Sequence, residues 1–226
     1  MATLEENVQR KLTMEDTAVP RKLSSILSDI ELVRCVMVGD DESGVDMMME
    51  KYAQYVGVPY NAQTRELVTA FNGRKCVFRA ASAEFSDRGF EDPHVFLLCV
   101  SVARQASAQE TVRMILDTVI ERIRGAPFVL VGTQIDKRLS MLIENYGCGQ
   151  MKYLPMPLNQ AESFAKRIGA SKYLECSEVT GEGLDEVFEE AFAVGHNYAL
   201  EQLRGYRRKM SAAQVPKERK LSCITQ

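Results

Sequence analysis

The residues best placed to do chemistry lie in two loops that follow apolar strands. The first is VRCVMVGDDESGVD, residues 33–46, where Gly39 and Gly44 have the spacing of GxxxxGK[ST]. A loop with that spacing, between a strand and a helix, lets backbone N–H groups close around an anion at the helix N-terminus, while a lysine and a Ser/Thr supply charge and a magnesium ligand. In this chain those last two positions hold Val45 and Asp46. The glycine spacing is thus present without the residues that do most of the phosphate chemistry. Asp40, Asp41, Glu42 and Asp46 place four acids around the same loop; they form either a cation-binding cluster or a solvated acidic loop, and the second arrangement is the commoner one. The second loop follows FVLVG and reads Thr133-Gln134-Ile135-Asp136, and after a further strand comes Glu175-Cys176-Ser177.

The elements that must position these loops follow from hydrophobic patterning. Apolar runs at Val33–Val38, Val95–Val102, Pro127–Val131 and Tyr173–Cys176 alternate with helical stretches at Asp46–Val56, Ala108–Arg124, Asn159–Ile168 and Gly183–Leu203. Such alternation predicts an α/β fold, a mostly parallel sheet with helices on both faces. Glu66–Phe71 and Lys75–Phe78 flank Asn72-Gly73, whose tolerance of positive φ suits a type I′ hairpin, so one antiparallel strand pair is expected and six strands in all. An acidic pair after the first strand also occurs in response-regulator receiver domains. Those need an aspartate after the third strand and a lysine after the fifth, where this chain has Arg79 and Thr133.

Length and composition set the frame. The 226 residues fit one domain of about 170–200 residues with tails. We divide the chain into an N-terminal extension, 1–30, with one short helix near Leu23–Ile30; a domain, 31–203; and a basic tail, 204–226. Six cysteines without a CxxC pair and two histidines argue against a zinc site or disulfide framework. Cys35, Cys76, Cys99 and Cys176 lie in strand-like runs and read as small buried hydrophobes. No apolar run approaches the ~18–20 residues of a membrane span, and MATLEENVQR lacks the apolar region of a signal peptide, so a cytoplasmic location is expected. Residues 204–220 carry +6 in a chain of net charge −3, which suits an anionic membrane surface better than nucleic acid. The end, Cys223-Ile224-Thr225-Gln226, has the form of a CaaX prenylation box, and the basic stretch upstream would supply the second signal that a single lipid chain needs.

Taken together, the Gly39–Gly44 loop, Thr133-Gln134-Ile135-Asp136, Glu175-Cys176-Ser177 and GLDEVFEEA at 183–191 resemble the Rho family of small GTPases over roughly Val33 to Leu203. The segment from Asp136 to Pro157, with a helical run near Ser140–Tyr146, is similar to the Rho-type insert. The resemblance implies that Gly39, Gly44, Val45, Asp46, Thr133, Gln134, Asp136, Ser177 and Glu178 occupy nucleotide-binding positions, with Asp136 accepting hydrogen bonds from the guanine edge. It also shows what is altered. The magnesium-binding threonine of VPT is replaced in Val58-Pro59-Tyr60. DTAGQE becomes Arg79-Ala80-Ala81-Ser82-Ala83-Glu84, which removes the magnesium-supporting aspartate at Arg79 and the water-positioning glutamine at Ala83. The base-capping Ser-Ala becomes Ser177-Glu178. The expectation is a small-GTPase fold acting through protein effectors or regulators, with GTP or GDP held weakly, no magnesium site at Asp46, Tyr60 and Arg79, and lipidation at Cys223. The alternative is a divergent GTP-binding Rho switch serving cytoskeleton or polarity signalling.

Overall fold

The computed structural model describes residues 31–40, 42–82, 92–103, 110, 112–117, 125–138 and 156–213. The chain order is β1 (Leu32–Gly39), α1 (Val45–Val56), β2 (Tyr60–Asn61), β3 (Glu66–Phe71), β4 (Arg74–Ser82), β5 (Val95–Ser101), β6 (Phe128–Thr133), α2 (Leu158–Arg167), β7 (Lys172–Glu175) and α3 (Leu184–Ala213). A further helical run at 112–117 lies between β5 and β6 in sequence. The strands form one sheet in the order β2-β3-β4-β1-β5-β6-β7. From β4 to β7 every pairing is parallel. β3 runs antiparallel to both β2 and β4.

Period-two alternation explains the two cores. Cys35 and Met37 of β1 and Leu97 and Cys99 of β5 face one side, where they meet Met48, Met49 and Tyr52 of α1 and Val187 and Phe188 of α3. Val36, Val38, Phe96 and Leu98 face the other, against Ile115, Leu116 and Phe164. Strands buried on both faces read as unbroken apolar runs, as β1, β5 and β6 do. The four cysteines expected to be buried are buried free thiols.

Three features depart from the sequence expectation. The sheet has seven strands because Tyr60 and Asn61 pair with Leu67 and Glu66. Two residues are too few to show a period. β4 runs on through Arg79 to Ser82, in register with Val36–Gly39 of β1, although the arginine breaks its apolar pattern. α3 continues past Leu203 to Ala213 and so takes in the first part of the stretch assigned to the tail. Arg204, Arg207, Arg208 and Lys209 are good helix formers and no proline intervenes before Pro216, so nothing stops the helix at Leu203. Leu203 is its last buried side chain among the described residues. The hairpin turn is as expected, with φ 51° at Asn72 and 76° at Gly73. The short helix near Leu23–Ile30, the helical run near Ser140–Tyr146, and Asp41, Ala83, Glu84, Cys148 and Cys223 lie outside the described residues.

Candidate nucleotide-binding site

The carboxyl ends of β1, β6 and β7 bring the predicted loops to one edge of the sheet, where open α/β folds bind ligands. Next to Gly44, Ser43, wholly buried, donates from its backbone N–H and its hydroxyl to the carbonyl of Asp40, at 3.1 and 2.5 Å. Gly44 has φ 70° and opens α1. Val45, at the lysine position, turns into the core beside α3 and is 6% exposed. It presents no charge to the loop.

Asp46 is engaged from two directions. Arg65 donates from Nε to Oδ1 at 2.9 Å and from Nη2 to Oδ2 at 2.6 Å, and the Tyr60 hydroxyl donates to Oδ1 at 2.6 Å. Burial works against the Asp46 charge, but these hydrogen bonds and the Arg65 charge outweigh it and hold the carboxyl below its ordinary value. Burial, and then the Asp46 carboxylate, push the Tyr60 phenol up to about 12, so it stays a donor at neutral pH. Arg65 reaches this position with φ 52°, a left-handed conformation uncommon outside glycine. The other altered position, Arg79, pairs with Glu66 at 2.6 Å. Two of the three altered magnesium positions, Asp46 and Tyr60, are therefore bonded to each other around a guanidinium.

These residues do not fit a magnesium ion. Arg65 occupies both oxygens of Asp46, and a second guanidinium stands where an aspartate is needed. Of the four acids read around the loop, Asp41 lies outside the described residues, and among the described residues no three His, Cys, Asp or Glu side chains are grouped to hold a metal.

The positions expected to face the base are joined to one another. Asp136 Oδ1 accepts a hydrogen bond from Ser177 Oγ at 2.5 Å, and Ser177 Oγ in turn accepts the N–H groups of Val179 and Thr180. Gln134, with φ 64°, joins the two loops: its Nε2 donates to the Glu42 carbonyl at 2.8 Å and its Oε1 accepts from Ser101 Oγ at 2.7 Å. Backbone bonds from Ile135 to Cys176 and from Cys176 to Gly132 fasten the β6 and β7 ends together. Behind them, Arg138 makes a two-pronged pair with Glu175, which also accepts the Tyr173 hydroxyl. Thr133 is buried with its hydroxyl unpartnered among the described residues. Glu178, at the alanine position, is 5% exposed and lies across Gly44.

Sequence reading missed Arg65, Arg138 and the reach of Gln134. Arg65 sits in a turn without periodicity, and its partner is 19 residues away. Arg138 follows Asp136 closely, which was the one available hint.

The seven-stranded, mostly parallel sheet with its antiparallel β3 is consistent with a small-GTPase fold. Residues 80–195 match the sequence model of the Ras family. That match spans just over half of the chain and contains β5 to β7, the loops that follow β6 and β7 and the first 12 of the 30 residues of α3, and on this evidence the chain belongs to the Ras family of small GTPases.

Proposed function

We propose that this protein is a Rho-type pseudo-GTPase, a signalling protein that works through protein contacts and has no magnesium-dependent nucleotide cycle. The observation that carries this reading is the Arg65–Asp46–Tyr60 contact. A nucleotide triphosphate in this family is held through a divalent cation coordinated from the phosphate loop and the following switch loop. In this chain those two loops are joined to each other by a guanidinium and a phenol. The arrangement needs neither ion nor phosphate to stay closed. The surface of β2, β3 and α1 is then presented to effectors in one form.

The test is to denature the purified full-length protein and identify any released nucleotide. Less than about one-tenth of an equivalent of GDP plus GTP is expected, with no hydrolysis stimulated by a Rho-type activating protein. Stoichiometric nucleotide, or robust stimulated turnover, would overturn the reading.

A second reading, guanine nucleotide held without magnesium, is favoured by the intact Asp136–Ser177 bond. Release of the nucleotide on denaturation together with insensitivity to chelation would select it.

We also propose that the basic end of the chain and Cys223 attach the protein to the cytoplasmic face of a membrane. Support comes from the +6 charge of residues 204–220 and the CaaX form of the end. No helix among the described residues is long and apolar enough to cross a membrane. The wild-type chain should fractionate with membranes and Cys223→Ser should be largely soluble; equal fractions would remove the lipid from the reading.

A further inference from the structure

We propose that Glu178 is the chain's own occupant of the nucleotide site, a carboxylate laid against the phosphate loop in the place of a bound anion. The inference rests on the pseudo-GTPase reading and names what closes the site.

The side chain is 5% exposed, and its Oε2 has no hydrogen-bond partner among the described residues. A Cβ built on Gly44 would stand 3.0 Å from Oε1, 3.1 Å from Cδ and 3.4 Å from Cγ of Glu178. The carboxylate therefore lies against Gly44, one of the two glycines of the loop, at the start of the 12-residue helix α1. Burying an ionised carboxylate is costly unless hydrogen bonds or charge compensate. The partial positive charge at the N-terminus of α1, the feature that draws phosphate to such helices, lies beside this carboxylate and offsets part of that cost, while Oε2 stays without a hydrogen bond among the described residues.

The two backbone segments on either side of Glu178 are each fixed by a hydrogen bond. Ser177 Oγ accepts the N–H groups of Val179 and Thr180 and donates to Asp136, so the turn carrying Glu178 is fixed to the base-selecting residue. Gln134 ties the phosphate loop to the β6 loop through the Glu42 carbonyl, so the loop is fixed relative to that turn. Glu178 spans the gap between them. A nucleotide bound to Asp136 with its phosphates on the Gly39–Gly44 loop has to displace a side chain of like charge. With alanine, which the family has here, the passage would be open.

The experiment titrates fluorescent methylanthraniloyl-GDP into the full-length wild type, Glu178→Ala and Glu178→Gln, each in magnesium and in chelator. Glu178→Ala should bind at least about tenfold tighter than wild type, equivalent to about 1.4 kcal/mol. Glu178→Gln, which keeps the volume and removes the charge, should fall between. Both gains should be indifferent to magnesium, and both variants should melt at or above the wild-type temperature because a buried charge has been removed. If neither variant binds more tightly than a wild type that does not bind, the occupant role is wrong and the pseudo-GTPase reading stands. If the wild type already binds tightly and only in magnesium, the pseudo-GTPase reading is wrong, and the variant-to-wild-type ratio still reports on Glu178. A Glu178→Gln protein that fails to fold also overturns the inference, since it would make the carboxylate a structural requirement.

Discussion

Changing Val45 to Lys together with Asp46 to Thr should raise affinity for GDP by about a hundredfold, leaving it in the micromolar range. A lysine within about 4 Å of a phosphate charge is worth roughly 4 kcal/mol at an effective dielectric of ~20, and removing the Asp46 carboxylate relieves a repulsion of similar size. Screening and relaxation reduce the total to about 4 kcal/mol, or a thousandfold. Full recovery is not expected, for three structural reasons. Val45 is in the core, so a lysine there must extend its stem out of an apolar cluster before its ammonium reaches the loop. Tyr60 and Arg79 still occupy positions where the family coordinates or supports magnesium. Glu178 still lies across Gly44. Calorimetric titration of wild type and the double variant with GDP measures the gain. An increase below about threefold would show that the Gly39–Gly44 loop is not where an anion is held.

Phe188→Ala should cost about 3–5 kcal/mol of stability, a large part of the ~5–15 kcal/mol available to a domain. Phe188 is fully buried on α3. Its ring stacks on Tyr52 of α1 with centroids 3.9 Å apart and planes 3° from parallel, and meets Phe78 of β4 edge-on at 4.7 Å. One side chain thus joins both helices of this face to the sheet. Truncating it leaves a cavity lined by two aromatic rings that cannot collapse together without moving α1. Phe188→Leu, which refills part of the volume, should cost roughly 1–2 kcal/mol. Urea unfolding monitored by circular dichroism gives both values; a loss under about 1 kcal/mol for the alanine variant would mean that this packing is not formed.

How far the sequence could be read depends on the length scale of each feature. Alternation within β1, β5 and β6 and the Asn72-Gly73 turn are local, and they identified the sheet and its antiparallel edge. Asp136 and Ser177 were found as separate loops, and the structure joins them through a single hydrogen bond. Arg65 could not be found this way. It lies in a turn, its backbone is left-handed, and its role depends on β2 and β3 carrying it back to α1. Glu178 was visible as a misfit of size and charge, but the direction of its side chain is a property of the folded loops. The end of α3 is not marked by the apolar pattern, which stops at Leu203, while the good helix formers beyond it carry the helix on to Ala213.

The contact of Arg65 with Asp46 and Tyr60 has a consequence for information flow. A ligand shifts an equilibrium between two forms only as far as its affinity differs between them. A contact made entirely within the chain has no free concentration that a cell can raise or lower, and it is already complete when folding ends. On the reading proposed above, exchange factors and activating proteins have no handle on such a molecule. Its signal is then graded by synthesis, turnover and placement, as a quantity of protein in place of a change of state.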